Sequence, residues 1–364
     1  MLSTWFAERG VTLSALTYGG AVALRFTDPR AEHLATRRSA GLFDFSFMGG
    51  WEIAGRDALG FLQRLQTRDL RLLPCGSIAY TMLCRDDGSV FIDATIWCHD
   101  ANRYWIFTGR RSDHSHLARV GSGFDVNVTA ILPEFAVIAL QGPSSFKLVE
   151  RLAPGSAVRL PYFEFRRSRI ARVDAWIGRL GYTGELGYEI LVHANDAVIV
   201  WKRIVESAEP GEVLECGWES ANSLRIEAGF LHFDYELAGK AFPAELSMGR
   251  LVRFDRSDFI GCDALLSMRA RPVERTLAGV AIDRAEGYVP AQGSQFRRIA
   301  HMTSEAFSPV FDQRLALAFV ENALCPGSVV YTNGGLRGRL AKLPFFDPPR
   351  AVPRRTPGAS VRAD

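Results

Sequence analysis

The chain has 364 residues, 48% hydrophobic and 23% charged, which is typical of a soluble globular protein with two or three domains. Its 43 basic and 40 acidic residues leave a formal charge of +3, which argues against a dedicated nucleic-acid surface. No apolar run approaches the ~20 residues that cross a bilayer, and the first residues do not resemble a signal peptide. We therefore expect a cytoplasmic protein without a membrane partner.

Helical periodicity is clearest in three segments of the chain. Apolar residues recur at helical spacing over 58–65, over 148–152 behind a possible cap at Ser144, and over 198–205 behind a possible cap at Asn195. Each segment is therefore predicted to be an amphipathic helix.

Strand patterns lie between and after these helices. The segments 89–98 and 103–109 alternate around a polar turn, which predicts a hairpin. Further strands are predicted at FAVIAL, YEILV, LAGVAI, RLALAFV and SVVYT. Because the last hundred residues show strands and turns only, the sequence predicts an α+β fold followed by a small all-β domain. The basic segment 269–275 is the expected boundary.

Metal and disulfide signals are weak. The six cysteines form no CxxC pair and the seven histidines no HExxH motif, so we expect free, mostly buried thiols. His114 and His116 would share a face of a strand, but their serine-rich surroundings are more typical of a solvated loop. The sequence therefore predicts no metal site.

A single carboxylate stands out in the first hairpin strand. Alternation places Phe91, Asp93, Thr95 and Trp97 on one face of that strand, opposite an apolar face. Either the first face is solvated at a sheet edge, or Asp93 is held there for a purpose, since an unpaired buried charge is costly. The pattern alone favours the solvated edge.

The stretch RLGYTGELGYEIL, residues 179–191, sets tyrosines and glutamates around a glycine turn. The strand after the turn places Tyr188, Ile190 and Val192 on one face and Glu189 on the other. A ring such as that of Tyr182 and a carboxylate suit a flat heterocycle with adjacent N–H donors. The alternative, an ordinary hairpin whose glutamate pairs with an arginine, is equally consistent with the pattern.

The same stretch resembles the TGYTGE-x-G-[FY]-E signature of the glycine-cleavage T-protein (aminomethyltransferase) family. Matching segments follow in the family's order: AGLFDFSFM, CGSIAYTMLCRDDGSVFID, IALQGP, SLRIEAG, DFIGCDAL and AFSPVFDQRLALAFV. The resemblance covers nearly everything except the proline- and arginine-rich tail.

The resemblance implies a three-domain, clover-like fold around a central folate tunnel. It predicts a first domain from 1–49 and 132–226, a second, interleaved domain from 50–131 and 227–270, and a β-domain over 275–346. The tail over 347–364 is predicted to be disordered.

The resemblance also implies a tetrahydrofolate site. Glu189 matches the glutamate that grips the pterin, and Tyr80 and Tyr182 match positions that pack near the pterin and its linker. Thr95 and Trp97, on the face of Asp93, are predicted to join this site. Asp93 itself matches the catalytic aspartate, whereas Glu185 is predicted to be a turn residue without a ligand role.

Departures from the family pattern bear on the donor. Ala221 and Asn222 replace the arginine and aspartate of the family's GLGARD segment, Phe47 replaces a histidine, and Ile92 replaces the first acid of an IDD. The expected DF-x-GW-x-MP segment is also missing. These changes favour a folate-dependent demethylase that acts on a small N-, S- or O-methylated donor over a true T-protein.

Two alternatives accompany that prediction. One is the aminomethyltransferase of the glycine cleavage system, which would require a lipoyl-carrier partner. The other is a folate-binding protein without turnover. The KGCY-x-GQE stretch of the family's cluster-repair branch does not occur here, so that branch is disfavoured.

Overall fold

The computed structural model describes residues 2–16, 20–132, 134–157, 159–256, 258–283, 299–332 and 335–355. Within them the chain forms eight α-helices and eighteen β-strands. The helices are α1 Leu2–Glu8, α2 Pro29–Arg38, α3 Ala58–Leu65, α4 His114–Gly121, α5 Ser145–Leu152, α6 Ala197–Ser207, α7 Trp218–Glu227 and α8 Cys262–Met268. The strands are β1 Thr12–Ala15, β2 Ala21–Arg25, β3 Gly41–Asp44, β4 Gly49–Ala54, β5 Ile78–Cys84, β6 Val90–Asp100, β7 Arg103–Thr108, β8 Asn127–Ala130, β9 Phe135–Gln141, β10 Phe165–Ile170, β11 Val173–Gly178, β12 Gly187–His193, β13 Leu214–Glu215, β14 Arg275–Ile282, β15 Ile299–Ser308, β16 Gln313–Glu321, β17 Val329–Thr332 and β18 Arg337–Ala341.

Two sheets and a barrel organise these strands. A six-stranded sheet has the order β10-β11-β12-β9-β3-β13, and a five-stranded sheet has the order β5-β6-β7-β4-β8. The strands of the second sheet all lie between β3 and β9 of the first, so the two sheets interleave along the chain. The order β14-β16-β15-β17-β18 closes a small barrel. The mixed α+β class and the C-terminal all-β unit that the sequence predicted are both present.

The apolar faces of the strands fix how the two sheets pack. Tyr188 and Ile190 of β12 are buried in one cluster with Trp201 of α6, whereas Leu191 of β12 is buried in another cluster with Trp97 of β6. The six-stranded sheet therefore has helices on one face and the five-stranded sheet on the other. Glu189 shares the second face with Leu191, as strand alternation predicted.

The predicted helices are all present, with one change of cap. Asn195 is not the N-cap of α6, because Asp196 occupies that position and the helix begins at Ala197. Ser144 precedes α5 as expected but makes no side-chain capping hydrogen bond. By contrast, a side-chain oxygen of Asp28 accepts a hydrogen bond from the backbone of Ala31 at the start of α2, the usual form of an N-cap.

Two local predictions were wrong. His114 and His116 lie on helix α4 rather than in a loop, and Leu117 of that helix is fully buried. The start of the tail, residues 347–355, packs against the rest of the protein. Pro353 is buried there, and Arg179 donates hydrogen bonds to the carbonyls of Pro353 and Arg355. Residues 356–364 lie outside the described residues.

No helix in the described part of the chain is long and apolar enough to cross a membrane.

Candidate active site

A cavity of about 840 Å³ lies where the two sheets, the barrel and the segment 343–354 meet. Its volume is within the range of small-molecule sites in proteins. The five-stranded sheet contributes Tyr80, Asp93 and Thr95, and the other sheet contributes Glu189. The side chains predicted to form a site are therefore brought together, with one exception, Trp97.

Asp93 lies on β6, an interior strand of its sheet, and faces the cavity. The solvated-edge interpretation of this residue is therefore wrong. Burial raises the pKa of Asp93 to about 6, against the opposing effect of the hydrogen bond that Tyr80 Oη donates to Asp93 Oδ2 at 2.9 Å. Tyr80 lies on the neighbouring strand β5 opposite Thr95, two residue pairs from Asp93 and on the same face of the sheet, so the strand register brings the phenol to the carboxylate.

Glu189 lies on β12 and is 9% exposed. Burial alone raises its pKa to about 7. No residue in the described part of the chain donates a hydrogen bond to its side chain. A buried carboxylate without a partner is costly unless something else satisfies it, so its two oxygens are available to a ligand in the cavity.

Glu185, four residues earlier, has the opposite surroundings. Its Oε1 accepts a hydrogen bond from Arg37 Nη1 at 3.1 Å, and the side chain is almost fully buried. The glutamate–arginine pair that the hairpin alternative required therefore belongs to Glu185, whereas Glu189 has no such pair within the described part of the chain. Glu185 does not line the cavity.

Much of the cavity wall is aromatic. Tyr182 donates a hydrogen bond from Oη to the carbonyl of Leu231 and stacks on Phe230 at 5.9 Å between ring centroids. Farther along, Trp218 contacts Phe47 edge-on at 5.8 Å and His232 at 5.2 Å. A flat ligand in this cavity would therefore have several aromatic rings to pack against.

Trp97 does not reach the cavity. Its side chain is fully buried between the sheets, with ring centroids 4.8 Å from Phe165 and 5.5 Å from Phe107. The alternation that placed it on the face of Asp93 is correct, but that face is covered by the six-stranded sheet at this end of β6. Gly178 leaves the space that the indole fills, since a Cβ there would lie 2.3 Å from the Trp97 ring.

Only one of the substituted family positions lines the cavity. Phe47 lies in the cavity wall, where Trp218 also lies, whereas Ala221 is fully buried in an apolar cluster. The Oδ1 of Asn222 accepts a hydrogen bond from Arg225 Nε at 2.9 Å. Ile92 is buried on the far face of β6, so this strand supplies no second acid beside Asp93.

Sequence reasoning missed the basic residues of the cavity wall. Four arginines line it: Arg68, Arg250, Arg350 and Arg354. Burial and the charge of Arg250 lower the pKa of Arg350. Arg350 and Arg354 belong to the stretch predicted to be disordered; the preceding Phe345–Phe346 pair was the signal that the chain is anchored there.

The arrangement offers two carboxylates with raised pKa values, an aromatic wall and a group of cations. Glu189 can accept hydrogen bonds from a pair of N–H groups, and Asp93 can stabilise positive charge that develops beside it. Among the described residues no cluster of histidine, cysteine, aspartate or glutamate side chains could hold a metal ion.

Comparisons with known proteins agree with this geometry. The model of the GCVT N-terminal domain matches residues 2–256. The aminomethyltransferase of Bacillus licheniformis is 32% identical over 91% of this chain and 94% of its own, and that of Halothermothrix orenii is 29% identical over 90% and 94%. The crystal structure of the glycine cleavage system aminomethyltransferase T from Bartonella henselae superposes with a TM-score of 0.81 at 25% identity, over 98% of each chain.

Proposed function

Because this chain belongs to the glycine-cleavage T-protein family, it is a tetrahydrofolate-dependent transferase, and we propose that its donor carries an aminomethyl group. The observation that carries this proposal is that Glu189, which has no hydrogen-bond partner among the described residues, lines the same aromatic cavity as Asp93, whose carboxylate is held by Tyr80. The aminomethyltransferases that resemble it over nine tenths of its length support aminomethyl transfer better than the demethylation that the substituted residues suggested.

The residues present fit tetrahydrofolate. A pterin presents an amino group beside a ring N–H, and the two oxygens of Glu189 can accept both. Tyr182 and Phe230 supply ring surfaces, and the arginines of the cavity wall suit the carboxylates of the glutamate tail. Thr95 lines the cavity beside Asp93 and adds a hydroxyl to the same wall. When bound, tetrahydrofolate supplies N5 as the nucleophile that accepts the one-carbon unit.

Asp93 acts on the donor in this proposal. Its carboxylate, held by Tyr80, stabilises positive charge on the aminomethyl nitrogen and on the carbon as its bond to the carrier weakens. Because the cavity wall is mostly apolar, this charge interaction is little screened by water. The surrounding rings orient the donor carbon, and orientation of this kind can contribute up to ~7–11 kcal/mol to lowering a barrier.

A second candidate is the demethylase that we expected from the sequence. It is favoured by one observation, the edge-on contact of Phe47 and Trp218 in the cavity wall, which leaves an apolar surface suited to a small methylated donor.

A donor comparison distinguishes the two. The protein is incubated with tetrahydrofolate and either an aminomethyl-loaded lipoyl carrier or a panel of N-, S- and O-methylated small molecules, and the folate products are separated by mass. We expect methylenetetrahydrofolate and ammonia with the carrier. Methyltetrahydrofolate from a member of the panel, without carrier turnover, would replace the first candidate by the second.

A further inference from the structure

The segment 230–233 lines the cavity along its whole length. Phe230 stacks on Tyr182 at one end, and at the other Phe233 packs over Gly109, where a Cβ would lie 2.1 Å from the phenylalanine ring. Gly109 follows β7, whose Thr108 is paired with Ala94, the neighbour of Asp93. His232 therefore stands in the wall on the Asp93 side, where the donor would bind.

The hydrogen bonds of His232 fix which ring nitrogen carries the proton. The backbone N–H of Asp234 lies 3.2 Å from Nδ1, and because an amide N–H can only donate, Nδ1 is the acceptor. A neutral ring with an accepting Nδ1 has its hydrogen on Nε2. Burial, aided by the charge of Arg225, lowers the pKa of His232 to about 3, so the ring remains neutral at physiological pH.

The ring is also held in one orientation. Its own backbone N–H donates to Glu236 Oε2 at 2.7 Å, and that oxygen also accepts from Arg225 Nη1 at 2.7 Å. The imidazole stacks on Phe233 at 4.3 Å and contacts Trp218 at 5.2 Å. A ring so enclosed presents its Nε2–H in a fixed direction.

That N–H has no acceptor among the described residues. The Nε2 atoms of His99 and His116 also have no partner among the described residues, but they are sealed from solvent, whereas the Nε2 of His232 is not. Since His232 lines the cavity, its Nε2–H is available there to an acceptor atom.

We propose that His232 is a positioning residue for the one-carbon donor, to which it donates a hydrogen bond from Nε2. In the one-carbon donor, the transferred carbon is bonded to a heteroatom. That heteroatom accepts the hydrogen bond from His232. This inference rests on the proposed function and adds to it a fixed, uncharged N–H group beside the charge that the Asp93 carboxylate supplies. The chain has phenylalanine at position 47, where its family has histidine, and Phe47 and His232 both contact Trp218.

The test uses two substitutions of the same residue. His232→Phe keeps a ring and removes the N–H, and His232→Gln keeps an N–H donor at similar reach. With the aminomethyl-loaded lipoyl carrier as donor, we expect KM for the carrier to rise about five- to tenfold in the phenylalanine variant, the effect of one uncharged hydrogen bond. The glutamine variant should recover most of that loss, and tetrahydrofolate affinity by calorimetry should be unchanged in both.

His99→Phe is the matched control, because His99 packs against the rings of Trp105 and Trp176 and does not line the cavity. It should leave the carrier KM unchanged. A phenylalanine variant of His232 with wild-type KM, or an equal rise in the His99 variant, would overturn the inference while leaving the proposed function intact. A wild-type protein that binds tetrahydrofolate but turns over no carrier would overturn the proposed function itself.

Nitrogen-15 spectra of the histidine rings give a readout that needs no donor. Between pH 5 and 8 we expect His232 to remain neutral with its hydrogen on Nε2. A ring that titrates in this range, or that carries its hydrogen on Nδ1, contradicts the inference.

Discussion

The molecule contains two groups of buried carboxylates with opposite surroundings. In the cavity, Asp93 has one phenol as its partner and Glu189 has none among the described residues. Behind helix α7, Glu227 and Glu185 share the guanidinium of Arg37, and Glu227 also meets His33 at 3.0 Å. The first group keeps its hydrogen-bonding capacity for a ligand, whereas the second uses it to join helices α2 and α7. Charge that is paired inside the protein supports the fold, and charge that is left unpaired can serve chemistry.

The largest expected effect is on the paired group. Arg37→Met removes the cation shared by Glu185 and Glu227 and leaves two buried acids without it, so we expect a loss of about 3–5 kcal/mol in the free energy of unfolding. Urea denaturation followed by circular dichroism measures this. Arg38→Met, at an exposed neighbouring position, is the control and should change stability by less than about 0.5 kcal/mol. Equal stability of the two variants would remove the contrast between the groups.

The next effect concerns Asp93. Asp93→Asn keeps the shape and removes the charge, so turnover should fall by about two or more orders of magnitude, equivalent to ~2.7–4 kcal/mol, with tetrahydrofolate binding largely intact. Asp100→Asn, at an exposed position on the same strand, should have little effect. Near-wild-type turnover in the first variant would exclude Asp93 as the catalytic group.

The Asp93→Asn variant should also be more stable than the wild type at pH 7. The pKa of Asp93 in the folded protein is about 6, above the usual 3.8, so the folded state binds the proton more tightly and the charged form costs stability. That cost is absent below about pH 4 and develops as pH rises through 6. Thermal melts at pH 7 and pH 4 should therefore show a higher Tm for the variant only at pH 7.

Glu189 should affect the binding of tetrahydrofolate. Glu189→Gln is expected to weaken tetrahydrofolate binding by about 1.5–3 kcal/mol, the usual contribution of a hydrogen bond to a charged group. Glu185→Gln is the matched control, because it alters an acid of the same turn that is paired with Arg37, and it should leave folate affinity unchanged. Calorimetry on both folded variants decides; unchanged affinity in the Glu189 variant would contradict its assignment to the pterin.

The smallest effect is a pH dependence of folate affinity. Because the pKa of Glu189 is about 7, its accepting, charged form declines as pH falls from 7.5 to 6, and affinity should fall about tenfold. In Glu189→Gln the affinity should be nearly flat over this range. A wild-type protein whose affinity does not change would show that the carboxylate is already ionised without ligand.

The sequence predicted those parts of the molecule that depend on local pattern. Alternation in β6 and β12 assigned the faces of Asp93 and Glu189 correctly, because side-chain direction in a strand has a period of two. Alternation could not show that this face is open at Asp93 but covered at Trp97. Which part is covered depends on where the six-stranded sheet packs. Arg350 and Arg354 were missed for a related reason: their ordering depends on Arg179, far away in the sequence, whose side chain binds carbonyls of the same segment.

The interleaving of the two sheets has a consequence for the order of folding. The five-stranded sheet forms from one continuous stretch, whereas β3 and β9 can pair only after that whole stretch has been brought back to the first sheet. Contacts between distant residues form slowly, so we expect the sheet that carries Asp93 to assemble first and the one that carries Glu189 to close later. Folate can then stabilise the finished protein but cannot guide the early steps of its folding, since no intermediate before that closure holds both carboxylates around one cavity.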